Sequence, residues 1–340
     1  MNIIKWEHYP QVAHHEQART WLTIQARLGM AANTLDAYSR GLEDFFLVFQ
    51  NHAIPIISAK QEHIALYVND MATRKRPQGK VGLANATMQQ RLTAVRLFYD
   101  YLVEEGLREK NPVGRGKYIP GRAFAGARDR GLIPQYRKLP WIPNEDEWQR
   151  ILSCAKTEGL RNRLMFATAY DSALRREELC SLATGDIDPA HRLLRIRAET
   201  TKTRRDRVVP YSLVTSDLLQ QYLHERRAVT QERGALFRAV SPRNRGAAIS
   251  IWTWSKVVRG IALRAELPQF STHSLRHLCL TDLARADWDL HEIALFAGHR
   301  STQTTLQYIH LSGRELSNKF ATTLANLHTV RLQRLEEVWR

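Results

Sequence analysis

Apolar residues recur at intervals of three and four through the first third of the chain. Within residues 33–49 they are Leu35, Tyr38, Leu42, Phe45, Phe46 and Phe49. This spacing lines them up along one face of a helix. Two similar patterns follow in residues 63–73 and 86–106, and Asn111-Pro112 then prevents further helix. The pattern therefore predicts a compact helical bundle, which we assign to a domain at residues 1–112.

Residues 114–140, GRGKYIPGRAFAGARDRGLIPQYRKLP, lack this periodicity and are rich in glycine and proline. They hold seven basic residues and one acid, a net charge of +6 (7 − 1). A stretch of this kind between two periodic regions is typical of a linker, which we place at residues 113–140. Its charge predicts contact with phosphates, and a solvated connector is the alternative. The basic residues are Arg115, Lys117, Arg122, Arg128, Arg130, Arg137 and Lys138.

Residues 141–340 are predicted to be mostly helical with one β interruption. Two short β-prone runs, residues 193–198 and 207–211, flank a cationic turn in which Arg204 and Arg205 are further candidates for DNA contact. The predicted fold class is mainly α with a small β-sheet or hairpin, and this second domain is α+β. One helical face near its end carries Leu316, Phe320, Leu324 and Leu327. That face packs either within its own protomer or on a neighbouring one.

Charge narrows the choice of partner. The balance of 50 basic against 34 acidic residues gives a net charge of +16 and a pI near 10.1. A field of this sign concentrates polyanions, so nucleic acid is the leading candidate and an anionic membrane surface the second. No stretch approaches the ~20 apolar residues that span a bilayer. The polar N-terminus also lacks the apolar segment of a signal peptide, so we expect a cytoplasmic protein with no membrane partner.

Four segments carry side chains suited to phosphate chemistry. In SALRREEL an arginine lies at the start of a short helix, with an acid three residues later. TTKTRRDRVVP holds a lysine in the hairpin turn, and THSLRHL places a histidine and an arginine on one helix face. In FAGHRSTQTTLQY a glycine ends a helix, a histidine follows, and a tyrosine comes nine residues later. In chain order the candidate residues are Arg175, Glu178, Lys202, His273, Arg276, His277, His299 and Tyr308.

Tyr308 alone is more readily interpreted as core packing, because a phenol with a pKa of about 10 is a poor nucleophile at neutral pH. Together, however, the segments supply two guanidiniums, an ammonium, two imidazoles and the phenol. Guanidiniums neutralise the non-bridging oxygens of a phosphate, an acid protonates the leaving oxygen, and a base accepts the phenolic proton. These are the groups needed to cleave a phosphodiester without a metal ion, so Tyr308 becomes a candidate nucleophile.

These segments resemble the tyrosine recombinases, also called the phage integrase or Xer-type family. ALRREEL matches the family's GLRxxEL pattern, TKTRRDRVVP its GKGxKxRxVP hairpin, HSLRH its HxLRH pattern, and AGHRSTQTTLQYIH its LGHxxxxTTxxYxH pattern. The segments TLDAYSRGLEDF and RLFYDYLVEEGLREKNP are similar to the family's helical core-binding domain, so the resemblance covers both domains. The departures are Ala173, Thr201 and Thr203, which stand where the family usually has glycine.

The resemblance implies a role for each candidate residue. Tyr308 would attack a phosphate of duplex DNA to form a 3′-phosphotyrosine, and Lys202 would protonate the departing 5′-oxygen. His273 would assist removal of the phenolic proton. Hydrogen bonds to the phosphate oxygens would come from Arg175, Arg276 and His299. Supporting positions are Glu178, as an orienting group, and His277.

The resemblance also implies an assembly. Four protomers would exchange two duplex recombination sites through a Holliday junction, in DNA integration, excision or transposition. Accessory DNA-bending proteins or a partner recombinase are further candidate partners. No cofactor and no metal ion is expected, and the family places the protein with the prokaryotic nucleoid.

Three other functions are compatible with parts of the sequence. A type IB topoisomerase shares the tyrosine chemistry but is disfavoured by the N-terminal helical segments. A DNA-binding regulator without catalysis is disfavoured because all six catalytic residue types are present. A metal nuclease using His273, His277 and His299 is disfavoured because no carboxylate-rich cluster accompanies these histidines. The three cysteines lie far apart without a CxxC pair, so they predict neither a zinc ribbon nor a disulfide framework.

Overall fold

The computed structural model describes residues 4–75, 79, 81–114, 132–133, 139–201, 204–311 and 331. The chain divides into two compact units, Met1–Arg137 and Lys138–Arg340. Several predicted residues lie outside the described ones: Lys202, Arg115, Lys117, Arg122, Arg128, Arg130, Arg137, Lys138, Leu316, Phe320, Leu324 and Leu327.

The described part of the first unit is helical, as its apolar spacing predicts. Its helices are α1 (Pro10–His14), α2 (Glu16–Arg27), α3 (Ala32–Asn51), α4 (Gln61–Thr73) and α5 (Asn85–Glu104). Apolar side chains from α3, α4 and α5 meet in one core, where aromatic rings fill the centre. The Phe45 and Phe49 ring centroids lie 4.0 Å apart, and Tyr67 approaches Phe45 edge-on at 5.1 Å. The predicted helical bundle is therefore confirmed.

A partly buried ionic network joins three helices of this bundle. The carboxylate of Asp44 on α3 accepts a hydrogen bond of 2.8 Å from the Tyr67 hydroxyl on α4. It also accepts a bond of 2.6 Å from Arg74, which directly follows α4, and pairs with Arg91 of α5 at 2.5 Å. Burial alone would raise the pKa of Asp44, but the bonds from Arg74 and Tyr67 and the charge of Arg91 lower it. The Asp44 carboxylate thus has two cationic partners and one hydroxyl donor, contributed by three segments of the bundle.

The described part of the second unit packs helices around a small antiparallel sheet. Its helices are α6 (Glu145–Lys156), α7 (Leu160–Asp171), α8 (Arg176–Cys180), α9 (Leu213–Val229), α10 (Ile251–Arg264), α11 (Thr272–Arg285), α12 (Leu290–Ala297) and α13 (Leu306–Leu311). The strands β1 (Ile187–Asp188), β2 (Leu193–Ile196) and β3 (Arg207–Pro210) lie in the order β1-β2-β3. Within the part of the chain that the structure describes, no helix is both long and apolar enough to cross a membrane.

The sheet confirms the predicted hairpin and extends it. β2 and β3 pair antiparallel, with Leu194 opposite Val209 and Ile196 opposite Arg207. Leu194, Ile196 and Val209 are buried on the helical side. The two-residue strand β1 was not predicted, because so short a segment carries no alternation of its own and becomes a strand only by pairing with β2.

The positions of α11 and α12 determine where the candidate residues meet. α11 packs against α7, α12 and α13, and α12 also contacts β3. The segments carrying the arginine, histidine and tyrosine motifs are thereby packed around one point of the second unit.

A close backbone approach in the first unit gives a test of its packing. Gly82 has a φ of 68°, and a Cβ added there would lie 2.2 Å from the carbonyl oxygen of Ala72 in the last turn of α4. We expect Gly82→Ala to lower the free energy of unfolding by about 3 kcal/mol, because the backbone must shift in addition to the left-handed strain.

Gly106→Ala is the matched control, because its φ is 70° and an added Cβ would meet no atom of the described residues within 4 Å. We expect a loss of only about 1 kcal/mol for this variant. Urea unfolding of the full chain, followed by circular dichroism, compares the two. Equal losses would contradict the predicted clash.

Candidate functional site

Four separate elements present the candidate side chains that the structure describes. Arg175 is the N-cap residue of α8, and Arg276 lies in the middle of α11. His299 follows Gly298, whose left-handed conformation (φ 62°, ψ 48°) ends α12. Tyr308 lies in α13. The sequence expectation that a glycine ends the helix before His299 is thus confirmed.

Ala173 forms the tight turn that precedes Arg175. It is fully buried and has a φ of 45°, the left-handed region that favours glycine. This explains why the family pattern has glycine here, and an alanine costs about 1–2 kcal/mol in this conformation. The turn directs the Ala173 carbonyl toward Arg276, which donates a hydrogen bond of 2.5 Å to it.

Arg276 lies at the centre of the site and is only 4% exposed. In addition to the bond from Nη1 to Ala173, Nη2 of Arg276 donates a hydrogen bond of 2.6 Å to the Ala297 carbonyl and lies 3.0 Å from His299 Nε2. Burial lowers the pKa of Arg276 to about 10, and the nearby Arg175 contributes. The guanidinium therefore stays charged at neutral pH. Its three partners here are neutral groups, so it remains able to attract an anion.

The hydrogen bonds of His299 fix its tautomer. A guanidinium only donates, so Nε2 of His299 must accept from Arg276 and Nδ1 must carry the hydrogen. Nδ1 then donates to the hydroxyl of the buried Thr305, 2.9 Å away. Burial lowers the pKa of His299 to about 3, and the charges of Arg276 and Arg175 add to this effect. The ring is therefore neutral at neutral pH.

Tyr308 is already docked inside the site, with 2% of its surface exposed. Its ring lies parallel to that of His299, with centroids 6.0 Å apart. Its hydroxyl lies 3.0 Å from Nδ1 of His277. Burial raises the pKa of Tyr308, while the positive charges of Arg276 and Arg175 act to lower it.

His277 and His273 differ in their relation to the phenol. Burial lowers the pKa of His277 to about 4, with His273 and Arg276 contributing, so this ring is neutral and its Nδ1 is able to accept the hydroxyl hydrogen. His273 lies one turn earlier on α11 at an exposed position, with its ring centroid 6.2 Å from that of His277. The role implied for His273 in removing the phenolic proton stays a prediction.

Glu178 connects two arginines at the back of the site. This carboxylate is 1% exposed and accepts bonds from the Arg175 backbone N–H (2.9 Å) and Arg175 Nη1 (2.7 Å). Arg207 on β3 donates to both of its oxygens, at 3.1 and 2.7 Å. Burial alone would raise the pKa of Glu178, but the hydrogen bonds and charges of Arg207 and Arg175 lower it to about 2. The carboxylate is therefore ionised throughout the physiological range.

Sequence reasoning missed two residues and one contact of this arrangement. Arg207 was treated only as part of a β-prone run, although it is the arginine of the RxVP portion of the hairpin pattern. Thr305 was part of the TT pair without a role of its own, and no contact was predicted between His277 and Tyr308. The motif patterns contained the first two as signals, whereas nothing in the sequence indicated the third.

The structure brings together most of the predicted site. Arg175, Glu178, Arg276, His277, His299 and Tyr308 form one connected cluster. Arg204 and Arg205 are exposed at the hairpin turn, away from these hydrogen bonds. Among the described residues, no three histidine, cysteine or carboxylate side chains are grouped so that they could hold a metal ion.

The sequence matches two family models. Residues 143–315 match the phage integrase family, and residues 20–106 match the phage integrase N-terminal SAM-like domain. Tyrosine recombinase XerC of Pelotomaculum thermopropionicum is 30% identical over 249 residues, covering 71% of this chain and 76% of that protein. Tyrosine recombinase XerD of Brucella suis biovar 1 is 27% identical over 296 residues, covering 85% and 90%.

Solved structures share the fold. An XerH site-specific recombinase bound to a palindromic difH substrate, in a post-cleavage complex, has a TM-score of 0.66 at 18% identity and covers 92% of this chain and 90% of that chain. A lambda integrase dimer bound to a COC′ core site has a TM-score of 0.62 at 18% identity, covering 86% and 94%. The predicted fold class, mainly α with a small sheet, is therefore confirmed.

The buried hydrogen bond between Thr305 and His299 can be tested by substituting Thr305, with the adjacent Thr304 as the control. Thr305→Val removes the hydroxyl and leaves the Nδ1 hydrogen of His299 without its acceptor, which costs about 1–3 kcal/mol for a buried group. Thr304 is exposed, so Thr304→Val is expected to change the free energy of unfolding by less than about 0.5 kcal/mol.

Urea unfolding measures both variants. Nitrogen-15 spectra of the histidine rings measure the tautomer of His299 directly. We expect the Nδ1–H tautomer in the wild-type protein and a smaller fraction of it in Thr305→Val. A wild-type spectrum showing the Nε2–H tautomer would rule out the assignment.

Proposed function

Since the chain belongs to the phage integrase family of tyrosine recombinases, we propose that Tyr308 attacks one phosphate of a DNA duplex in a site-specific recombination reaction. The observation that carries the proposal is the position of the Tyr308 hydroxyl in a pocket of cationic and imidazole groups, 3.0 Å from His277 and beside Arg276. This pocket supplies both an anion-binding charge and a proton acceptor to a phenol that is otherwise a poor nucleophile.

The reaction exchanges one phosphodiester for another. The Tyr308 oxygen bonds to phosphorus and the bond from phosphorus to the 5′-oxygen breaks, which leaves a 3′-phosphotyrosine and a free 5′-hydroxyl. The phenolic proton goes to a base, and the 5′-oxygen takes a proton from an acid, for which Lys202 is the candidate. Because the number of phosphoester bonds is unchanged, a 5′-hydroxyl from a second duplex reverses the step without ATP.

The arginines stabilise the charge that develops on the phosphate. Arg276 is fixed by two backbone carbonyls, so it needs little reorganisation when the phosphate arrives. A phosphate oxygen at its Nη2 would replace the nitrogen of His299 that now lies there. The negative charge would also favour protonation of His299, which would then donate a second hydrogen bond to the phosphate.

His277 is the proposed acceptor of the phenolic proton. Its support is the 3.0 Å separation between Nδ1 and the Tyr308 oxygen. The low pKa of the free ring makes it a weak base in the absence of DNA, and a bound phosphate raises that pKa by adding negative charge nearby. His273, implied by the family resemblance, is the alternative acceptor on the same helix.

The assembly belongs to the same proposal. The XerH and lambda integrase structures are complexes with DNA, and this supports a duplex recombination site as the partner of this chain. We propose that residues 1–112 bind one side of the duplex and that the basic residues of 113–140 lie along its phosphates. A homotetramer would then exchange two sites through a Holliday junction during integration, excision or transposition, alone or with accessory proteins.

A nicked suicide duplex tests the nucleophile. The duplex carries the sequence that the full-length protein selects from a random library, and cleavage releases a short strand so that the covalent adduct accumulates. Tyr308→Phe is expected to abolish the adduct while retaining the stacking against His299. Tyr211→Phe is the control, since Tyr211 is also buried and its hydroxyl has no hydrogen-bond partner among the described residues. An undiminished adduct with Tyr308→Phe would sink the proposal.

The same assay distinguishes the two histidines. We expect His277→Asn to slow adduct formation by about 100-fold or more, in the range typical of a lost proton acceptor, with little change in duplex affinity. His273→Asn is expected to have a smaller effect on the rate. If His273→Asn slowed adduct formation more than His277→Asn did, His273 would be the acceptor of the phenolic proton.

A further inference from the structure

Arg207 is a buried cation that the proposed reaction does not use. Its side chain is 8% exposed and lies at the start of β3. All three of its guanidinium nitrogens are engaged: Nη1 and Nη2 bond the two oxygens of Glu178, and Nε donates 3.0 Å to the carbonyl of Phe296. The hairpin strand is thereby tied to α8 and to the end of α12.

Gly298 leaves room for this guanidinium. A Cβ at Gly298 would lie 3.0 Å from Nη1 and 3.2 Å from Cδ of Arg207. The residue is therefore glycine for two reasons, its left-handed φ of 62° and the side chain packed on it. Its carbonyl accepts a bond of 3.3 Å from Arg175 Nη2, so the loop before His299 contacts Arg207 on one side and Arg175 on the other.

The sharing of Glu178 affects the charge of Arg175. A carboxylate beside a single arginine would neutralise that arginine and hold it away from a phosphate. Here Arg207 takes a two-point pair with Glu178, so the cluster of Arg175, Glu178 and Arg207 keeps a net charge of +1 (2 − 1). Arg175 is oriented by Glu178 and Gly298 without its charge being cancelled.

We propose that Arg207 is a positioning residue for DNA cleavage, which orients Arg175 through Glu178 and orients the loop carrying His299 through Phe296 and Gly298. This inference rests on the proposed function and deepens it. Arg207 does not contact the phosphate in this role. Its substitution should therefore change the rate of cleavage and leave the affinity for the duplex nearly unchanged.

Arg207→Lys is the first test, because lysine keeps the charge but cannot bond both Glu178 oxygens and Phe296 together. We expect adduct formation on the suicide duplex to slow by on the order of 100-fold, the effect of a small misplacement of catalytic groups, with a duplex Kd within about threefold of wild type. Arg195→Lys is the matched control. Arg195 lies on the neighbouring strand β2 and also pairs with a carboxylate, Asp206, but its side chain is 63% exposed.

A charge-neutral methylphosphonate at the cleaved position separates positioning from general destabilisation. The ratio of the wild-type cleavage rate to the Arg207→Lys rate should be about tenfold smaller on this substrate than on the phosphodiester. The reason is that Arg175 then has less charge to neutralise. If Arg207→Lys slowed cleavage of both substrates by the same factor, its role would be merely structural and the inference would be overturned. Normal cleavage of the phosphodiester by Arg207→Lys would also overturn it.

A second variant covers the case in which Arg207→Lys unfolds. Arg207→Met combined with Glu178→Gln removes both charges of the pair and leaves no uncompensated buried carboxylate. This protein should fold, bind the duplex and cleave slowly, with the same relief on methylphosphonate. An adduct that persists when Tyr308→Phe is the only substitution would refute the proposed function instead, so the two failures are distinguishable.

Discussion

The charge of Arg276 is the constraint on which the rest of the site depends, because a guanidinium keeps its proton even when a fold buries it. Two backbone carbonyls satisfy this side chain, one from the turn before α8 and one from the end of α12. Those two segments must therefore remain in place around α11. The same two segments carry Arg175 and His299, so the burial of Arg276 brings the proposed phosphate-binding groups together.

Burial and this charge together set the electrostatic state of the other groups. Burial is the main cause that keeps His299 and His277 neutral, and the positive charge of Arg276 adds to it. A neutral His277 can accept the hydrogen of Tyr308, which a protonated ring could not do. The free protein thus holds the proposed nucleophile Tyr308 next to the proposed proton acceptor His277 and the buried cation Arg276. In the proposed reaction a DNA phosphate would bring a negative charge into contact with Arg276.

A second layer of contacts holds the first in position. Thr305 accepts the Nδ1 hydrogen of His299, and Glu178, which is paired with Arg207, contacts Arg175. Ala173 pays a conformational cost of about 1–2 kcal/mol to direct its carbonyl at Arg276. None of these groups needs to touch DNA. Their effect on a cleaving enzyme is geometric, because small displacements of groups around a phosphate have large effects on rate.

The sequence alone determined the helical first unit, the hairpin, the order of the motifs and the family. These features depend on local spacing and residue type. The sequence alone therefore identifies apolar helix positions such as Leu42 and Phe49, and the arginine and tyrosine motifs. Only the tertiary structure decided which histidine meets Tyr308, which tautomer His299 adopts, and that Arg207 shares Glu178 with Arg175. His277 and Tyr308 are 31 residues apart and Arg207 and Glu178 are 29 apart, and no periodicity connects the partners. The donors and acceptors of these hydrogen bonds are aligned only once α11, α12 and β3 have packed together.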